Sequence, residues 1–296
     1  MDRMVDDLIS SRPQGSCLPT LVTGADGYLG RELVSVLRDR GQPVLRVVRK
    51  QTGQKNDVVV DLREPDTLPR TLASVPISHI VHAAAVVPKG GTGYDDAAAA
   101  EENTLIARNA ISFASSKNVP LILISSMTVY PMGARNPVHE DSVTGPSSSV
   151  YAHAKRQAEE ICENSSVTGF AVRIPGLFGG ERTDGLVAYI RRTLQSGDVP
   201  VLPQQPVQWA AMHVRDAATA ISNLCNVRAT NFMPVNIGYE GPISISQFYT
   251  IACQIYGRDP DYVVDHPDFE FDLHRWKSLT GQTAKSYRVA FEGYLN

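Results

Sequence analysis

A tyrosine and a lysine, Tyr151 and Lys155, stand four positions apart in the 296-residue sequence. Side chains at this spacing project from one face of a helix, so an ammonium group would lie beside a phenol. A neighbouring cation stabilises a phenolate and lowers the pKa of tyrosine from its usual value of about 10. The pair therefore predicts acid/base chemistry on a carbonyl/alcohol pair, in which Tyr151 transfers the proton and Lys155 lowers its pKa.

A second source of hydroxyl groups, Ser125-Ser126, follows the apolar run at residues 121–124. This run is the most strand-like segment of the chain, and ligands bind beyond the carboxyl ends of parallel strands. We predict that Ser126 hydrogen-bonds the substrate oxygen and orients it towards Tyr151. The Tyr-x-x-x-Lys spacing is common by chance, so the prediction of catalysis depends on this serine and on the turn described next.

Three glycines, Gly24, Gly27 and Gly30, follow a β-branched strand at residues 20–23 and open a helical pattern. The first glycine permits a tight turn, the second lets a pyrophosphate approach the backbone, and the third brings the helix close to the sheet. The free N–H groups and the positive dipole at the helix start stabilise the anion. This turn, which also contains Tyr28 and Leu29, predicts a dinucleotide-binding site.

The end of the second predicted strand, residues 43–48, indicates which dinucleotide is bound. An NAD site usually has an acidic residue about 20 positions beyond the turn, where it accepts a hydrogen bond from the ribose 2′-hydroxyl. Here the position holds Arg49 and Lys50, two adjacent cations that suit a 2′-phosphate. We predict NADP(H) as the cofactor, with NAD(H) as the alternative, because a basic strand end is also common on ordinary surfaces.

Strand-like and helix-like segments alternate along the chain, which is typical of right-handed βαβ units and a parallel sheet. The predicted strands are 20–23, 43–48, 57–61, 77–82 and 121–124, and the predicted helices are 31–40, 69–74, 97–116 and 151–163. Past residue 176 the alternation is less regular. The predicted organisation is a flexible arm at 1–17, a nucleotide-binding domain at 18–175 and a smaller lobe at 176–296, with segments near 213–240 returning to the domain.

Composition excludes several classes of protein. The chain has 28 Lys+Arg and 31 Asp+Glu, a formal charge of −3, whereas nucleic-acid-binding proteins normally carry a basic excess. No apolar run approaches the roughly 20 residues of a transmembrane helix, so no membrane association is predicted. The four cysteines are scattered without a CxxC pair, which predicts reduced thiols, no metal site and a cytoplasmic location.

Further segments complete a pattern that resembles the extended short-chain dehydrogenase/reductase family, specifically its nucleotide-sugar epimerase/dehydratase-like group. The resemblance covers nearly the whole chain. Its motifs are residues 23–30, Asp61-Leu62, His82-Ala83-Ala84-Ala85, Asn103, Ser125-Ser126 with Val129-Tyr130, Tyr151 with Lys155, and residues 173–179, 213–216 and 235–238. It implies an α/β fold with a Rossmann-type doubly wound parallel sheet, a smaller C-terminal substrate-binding lobe, and a homodimer formed through helices 97–116 and 151–163.

The resemblance also implies roles for individual residues. Ser126, Tyr151 and Lys155 would form the catalytic triad, with Lys155 also bonding the cofactor ribose. Other implied cofactor contacts are Asp61 to the adenine amino group, Leu62 beside the adenine ring, Ala83, Ala84 and Ala85 at the end of the fourth strand, Asn103, and the backbone around Pro175 at the nicotinamide. The predicted substrate contacts are Val87, Ser126, Thr128, Gly176 and Arg182, and His82 is expected to pack rather than to catalyse.

Departures from the family pattern limit the implied function. Met127 and Thr128 stand where dehydratases carry an acid pair, which argues against dehydration. Gly176 replaces an asparagine that contacts the substrate diphosphate in many relatives, and Gln208 and Trp209 occupy the neighbourhood of a missing arginine. The candidate cations for contacting substrate phosphate instead are Arg182, Arg191 and Arg192, and a solvated helix face is an equal alternative for the last two.

Three functional hypotheses follow. The favoured one is an NADP(H)-dependent reductase of a keto group, with a nucleotide-linked 4-keto sugar as the first substrate class. The alternative is an epimerase that oxidises and re-reduces one sugar carbon around a retained NAD(P). A non-catalytic NADP-binding regulator is the remote third, because such chains usually lose the tyrosine or the lysine. Residues 261–296 are expected to cap the substrate cleft.

Overall fold

Nine short strands, several of them rich in β-branched residues, organise the part of the chain that the structure describes. The computed structural model describes residues 17–87, 94–142, 144, 149–262 and 264–295, so most of the predicted arm at 1–17 lies outside the described residues. The strands are β1 (Thr20–Thr23), β2 (Val44–Val48), β3 (Asp57–Val59), β4 (His79–His82), β5 (Leu121–Ser126), β6 (Gly169–Ile174), β7 (Gly176–Phe178), β8 (Ala211–His213) and β9 (Phe232–Asn236).

Helices connect most of these strands. They are α1 (Tyr28–Asp39), α2 (Thr67–Leu72), α3 (Ala97–Lys117), α4 (Val150–Glu163), α5 (Leu186–Gln195), α6 (Val214–Leu224), α7 (Ile245–Ile255), α8 (His274–Thr280) and α9 (Tyr287–Leu295). No helix among the described residues is both long enough and apolar enough to cross a bilayer.

Seven of the strands form one parallel sheet in the order β3-β2-β1-β4-β5-β6-β9. The order reverses between β1 and β4, and ligands of doubly wound sheets bind at such a reversal. The predicted α/β fold with a parallel sheet is therefore confirmed. The other two strands, β7 and β8, form a separate parallel pair that begins where Gly176 meets Ala211.

Helices cover both faces of the sheet, so its strands are buried on both sides. On β1, Leu21 belongs to the apolar cluster under α2, α3 and α4, and the next residue, Val22, belongs to the cluster under α1 and α6. Both side chains are fully buried. This two-sided core holds the carboxyl ends of the strands rigidly at one edge of the sheet.

The ends of two predicted strands differ in an informative way. β5 was expected to stop at residue 124 but continues through Ser125 and Ser126, which pair with Arg173 and Ile174 of β6. β3 stops at Val59 instead of residue 61, because the carboxylate of Asp61 accepts a hydrogen bond from the backbone N–H two residues on and turns the chain.

The C-terminal segment does not have its predicted position over the cleft. None of its described residues lines the candidate active site; instead its aromatic side chains pack into the core, and Trp276 donates a hydrogen bond to the carbonyl of Ala220 on α6. The prediction was wrong because the apolar residues of this segment, Phe269, Phe271 and Phe291 among them, favour burial over a solvent-facing lid.

Candidate active site

The glycine turn between β1 and α1 is built for close backbone packing. Gly24 has a positive φ of 64°, and a Cβ at this position would lie 2.7 Å from the Cα of Ala84. A Cβ on Gly30 would lie 2.0 Å from the carbonyl oxygen of Gly24. The first and third glycines therefore let the turn fold onto itself and onto the segment after β4, as their spacing predicts.

The start of α1 fits the pyrophosphate of a dinucleotide. The N-cap residue of α1 is Gly27, which has no side chain to accept a hydrogen bond from the first N–H groups of the helix. Gly27 is exposed, and it borders the cleft together with Tyr28, Leu29 and Gly30. Uncapped N–H groups at the positive end of a helix dipole form a site for an anion.

This cleft, which we call the active-site cleft, has a volume of about 580 Å³ and runs from the glycine turn to the β7–β8 pair. It contains the residues predicted for catalysis and most of those predicted for substrate and nicotinamide binding. The predicted residues on its lining are Gly27, Tyr28, Leu29, Gly30, Ala83, Ala85, Val87, Ser126, Thr128, Tyr151, Lys155, Pro175, Gly176 and Arg182.

Ser126 lies at the end of β5, where its side chain is only 8% exposed. Its hydroxyl oxygen accepts two hydrogen bonds from Thr128, one from the backbone N–H at 3.2 Å and one from the side-chain hydroxyl at 3.0 Å. With both lone pairs of the oxygen engaged, the proton of Ser126 is oriented away from Thr128. The serine is thus set up as a donor to an oxygen in the cleft, and Thr128 has a supporting role.

Lys155 is buried and donates a hydrogen bond to the carbonyl of Ile124 at 2.9 Å. Burial lowers the pKa of this lysine to about 8, and the negative charge of Glu159 acts in the opposite direction. An ammonium group with this pKa is still largely protonated at neutral pH and retains N–H donors beyond the one given to Ile124.

The predicted effect of Lys155 on the pKa of Tyr151 is wrong. The pKa of Tyr151 is raised above its ordinary value, first by burial and then by the nearby Tyr94. The ammonium nitrogen lies 5.7 Å from the centre of the tyrosine ring and is bonded to a backbone carbonyl. Loss of water around the phenol therefore dominates, and Tyr151 is held as a neutral phenol that can donate a proton.

The floor of the cleft is fixed by side chains that sequence reasoning assigned partly to the cofactor. His82 bonds the hydroxyl of Thr23 at 2.9 Å, and burial lowers its pKa to about 3, so it packs as a neutral ring, as predicted. Asn103 is buried and bonds both the N–H and the carbonyl of Val86, at 2.7 and 2.9 Å. Asn103 does not line the cleft; it holds the segment that follows Ala85 in place.

The residues predicted for the adenosine half of the cofactor lie beyond the cleft. Arg49 and Lys50 are exposed directly after β2, and Leu62 is buried behind Asp61. Asp61 accepts hydrogen bonds from the guanidinium of Arg63, at 2.9 and 3.0 Å from Nε, and these lower its pKa to about 2. The carboxylate predicted to meet the adenine amino group thus already has a partner in the protein.

The opposite end of the cleft contains Arg182. Its Nε lies 2.6 Å from a carboxylate oxygen of Asp184, and its guanidinium stands 5.5 Å from the ring centre of Tyr28. The phenol of Tyr28 donates to the carbonyl of Gly179, which joins the glycine turn to the segment that follows β7. Arg191 and Arg192 were predicted as further phosphate contacts but do not line the cleft; Arg191 stacks on Tyr294.

Sequence reasoning missed two aromatic walls of the cleft. Tyr94 meets the ring of Tyr151 edge-to-face with 5.7 Å between the centres. Trp209 packs on Phe248, which in turn packs on Phe291 of α9. The segment around Tyr94 carries no recognisable motif, whereas Trp209 had been noticed only as the replacement for an absent arginine.

The fold and the cleft together define an α/β protein of the dinucleotide-binding type. The model of the NAD dependent epimerase/dehydratase family matches residues 20–238, and the chain belongs to this family. The family resemblance expected from the motifs is thereby confirmed.

Individual relatives differ in what their names specify. UDP-glucuronate 4-epimerase 6 of Arabidopsis thaliana is 30% identical over 176 residues, which are 51% of this chain and 36% of that protein. A dTDP-4-dehydrorhamnose reductase of Streptomyces griseus is 28% identical over 288 residues, 91% of this chain and 90% of that protein. The chain thus spans only about a third of the plant epimerase.

A solved structure, MoeE5 in complex with UDP-glucose and NAD, is similar to this chain over 94% of its length and 97% of its own, with 25% identity and a TM-score of 0.76. At this coverage the match extends beyond the last strand of the sheet. Because the relatives carry both epimerase and reductase names, membership of the family leaves the choice of reaction to the geometry of the site.

Proposed function

We propose that the protein is an NADP(H)-dependent reductase that converts a keto group into an alcohol. The proposed substrate class is a nucleotide-linked 4-keto sugar. The observation that carries the proposal is that Ser126, Tyr151 and Lys155 all line the same cleft as the uncapped start of α1. A nicotinamide dinucleotide bound there supplies the hydride chemistry. The side chains of this protein then have to bind, orient and protonate.

Each of the three residues has a separate task. The free proton of Ser126 hydrogen-bonds the substrate carbonyl oxygen, since Thr128 occupies the acceptor sites of that hydroxyl. Tyr151 donates its proton to this oxygen as negative charge develops on it. Burial disfavours the phenolate of Tyr151, so the residue enters the reaction as a protonated phenol. Lys155 holds the ribose and supplies positive charge beside the oxygen.

The two ends of the cofactor are held in different ways. The N–H groups of α1 and the exposed backbone of Gly27 suit the pyrophosphate. Arg49 and Lys50 directly follow β2, and no carboxylate stands at this strand end. The two cations support a ribose 2′-phosphate and hence NADP(H) over NAD(H). Arg182, across the cleft, supports binding of a phosphate group of the substrate.

Absorbance at 340 nm tests the proposal, with dTDP-4-dehydrorhamnose as the probe substrate because its reduction is named in a relative that aligns over most of the chain. We expect NADPH to be consumed in proportion to product, and NADH more slowly. No consumption of either reduced cofactor with this and other nucleotide-linked 4-keto sugars would contradict the proposal.

The second candidate is an epimerase that retains its cofactor, favoured by the alignment with the plant epimerase. Denaturing the purified protein and measuring the nicotinamide that it releases separates the two. A reductase is expected to release little and to bind added NADPH, whereas near-stoichiometric NAD+ would identify the epimerase.

The proposal includes a homodimer formed through α3 and α4. These helices pack on each other, and the groove between them contains small side chains together with Leu105, which is 41% exposed. Light scattering on the wild type and on Leu105→Glu tests this, with a dimer and a monomer as the expected results. A cytoplasmic location belongs to the same proposal and rests on the scattered cysteines alone.

A further inference from the structure

A buried ion pair lies directly behind the proposed catalytic residues. Glu159 of α4 has no exposed surface, and Arg173 of β6 is only 2% exposed. The guanidinium donates to both carboxylate oxygens, at 3.2 Å from Nε and 2.7 Å from Nη2. Removing two charges from water costs free energy that their attraction only partly returns, so a pair at this place calls for an explanation beyond stability.

Glu159 and Lys155 attach α4 to consecutive residues of β5. Lys155 donates to the carbonyl of Ile124, and the hydroxyl of Ser125 donates to the carboxylate of Glu159. Ser126 is the next residue along β5. Two side chains one helical turn apart thus fix the relative position of the helix that contains Tyr151 and the strand end that contains the serine.

The charges around Lys155 come from three elements. His82 on β4 is neutral, and Tyr151 on α4 is a neutral phenol, as shown above. Glu159 is the negative charge that favours the ammonium form against burial. Arg173 balances it from β6, and the half-buried Arg156 contacts Glu159 at 3.0 Å from the solvent side.

We propose that Glu159 is a positioning residue of the site, whose carboxylate, oriented by Arg173 and Ser125, holds Lys155 as an ammonium ion in the place where it meets the cofactor ribose. The inference rests on the proposed function in one respect, that Lys155 contacts the cofactor. A structural ion pair without this role would connect α4 to β6 but would leave the protonation of Lys155 unchanged.

The test is the dissociation constant of NADPH, measured by fluorescence from about pH 7 to about pH 10, a range that brackets the lysine pKa. We expect affinity to weaken as Lys155 loses its proton, and Lys155→Met to abolish that transition. In Glu159→Gln the amide oxygen still accepts hydrogen bonds but the charge is gone. The transition is expected at a pH lower by about one unit.

Two further variants serve as comparisons: one is expected to move the pH of the transition in the opposite direction, and the other is expected to leave it unchanged. Arg156→Gln removes a partly exposed cation beside Glu159, so the transition is expected at a higher pH. Glu163→Gln removes a carboxylate that contacts the same Arg156 from the next helical turn, with 36% of its side chain exposed, and is expected to leave the transition at its wild-type pH. Arg156→Gln also keeps the test decisive if Glu159→Gln does not fold.

The outcomes separate the two proposals. A protein that binds neither NADPH nor NADH at any pH contradicts the proposed function. A protein that binds NADPH but whose transition stays at the wild-type pH in every folded variant at Glu159 and Arg156 contradicts the positioning role alone. Shifts in opposite directions cannot come from general destabilisation, and they would establish that the charge of Glu159 acts on Lys155.

Discussion

The two ends of the nucleotide-binding region are built differently. At the inner end, Ser126 and Lys155 are 8% and 9% exposed, and each is hydrogen-bonded within the protein. At the outer end, Arg49 and Lys50 are exposed. The inner end is buried in the lining of the cleft, whereas the outer end lies on the protein surface.

In the proposed function, this difference separates the residues that do the chemistry from those that select the cofactor. Desolvation raises the pKa of Tyr151 and lowers that of Lys155. At the inner end, the phenol therefore keeps its proton, whereas the ammonium group of Lys155 loses its proton more readily. The outer end is solvated, and its charges are screened by water and salt. Substitutions at the inner end should therefore abolish turnover, whereas those at the outer end should change which ligand binds.

Loss of the Tyr151 hydroxyl should have the largest effect. In Tyr151→Phe we expect kcat to fall by at least about 100-fold, because general acid catalysis typically contributes that much or more. NADPH affinity should change little. Steady-state kinetics with the probe sugar, alongside Tyr256→Phe, whose hydroxyl bonds a backbone carbonyl away from the cleft, provides the measurement and its control. Equal losses in both variants would remove the role of Tyr151.

Filling the glycine turn should be the next most harmful change. In Gly30→Ala the new methyl group meets the Gly24 carbonyl, so we expect the free energy of unfolding to fall by about 1–3 kcal/mol and NADPH binding to weaken sharply. Gly293→Ala in α9 is the control: its Cβ has open space, and the alanine should stabilise the helix by about 0.5–1 kcal/mol. Chemical denaturation measures both, and equal stabilities would contradict the packing argument.

Removing the basic pair at the outer end should change cofactor preference. We expect Arg49→Ala and Lys50→Ala each to weaken NADPH binding by about tenfold, which is roughly 1.4 kcal/mol per lost phosphate contact, and to leave NADH binding unchanged. The loss should diminish at high salt. Titration calorimetry with both cofactors measures this, with the exposed Arg228→Ala as a charge-matched control. A parallel weakening of NADH would mean that the pair does not recognise the 2′-phosphate.

The smallest expected effect is at the substrate end. Arg182→Ala should raise KM for the nucleotide-linked probe by about fivefold with kcat nearly unchanged, because a partly exposed cation contributes modestly to binding a phosphate. Arg192→Ala, outside the cleft, should leave KM unchanged. A fall in kcat without a change in KM would instead connect Arg182 to the chemical step.

Predictions from the sequence were most successful where a local residue pattern also determines which side chains are buried in the core. The parallel sheet followed from short apolar runs that alternate with helical patterns, and the glycine spacing located the turn at the strand reversal. Ser126, Tyr151 and Lys155 were found as a set because strand end and helix face each restrict where a side chain points. Their arrangement in one cleft agrees with this expectation, while their catalytic roles stay predictions.

Long-range environment could not be deduced in the same way. Spacing placed an ammonium near Tyr151, but it could not show that Lys155 would bond Ile124 or that burial would raise the pKa of the phenol. The C-terminal segment was assigned to a lid because no motif marked the aromatic residues that pack it into the core. Glu159 went unnoticed as a functional candidate, since only the fold brings Arg173 and Ser125 to it.

The central claim is that this cleft delivers a hydride to one carbon and a proton from Tyr151 to the oxygen bonded to it. NADPH deuterated at the transferred position, incubated with dTDP-4-dehydrorhamnose and analysed by mass spectrometry, tests it directly. We predict a product one mass unit heavier, with the deuterium on the carbon that carries the new hydroxyl, and almost none of it with Tyr151→Phe. Product without deuterium, or undiminished labelling in that variant, would contradict the account.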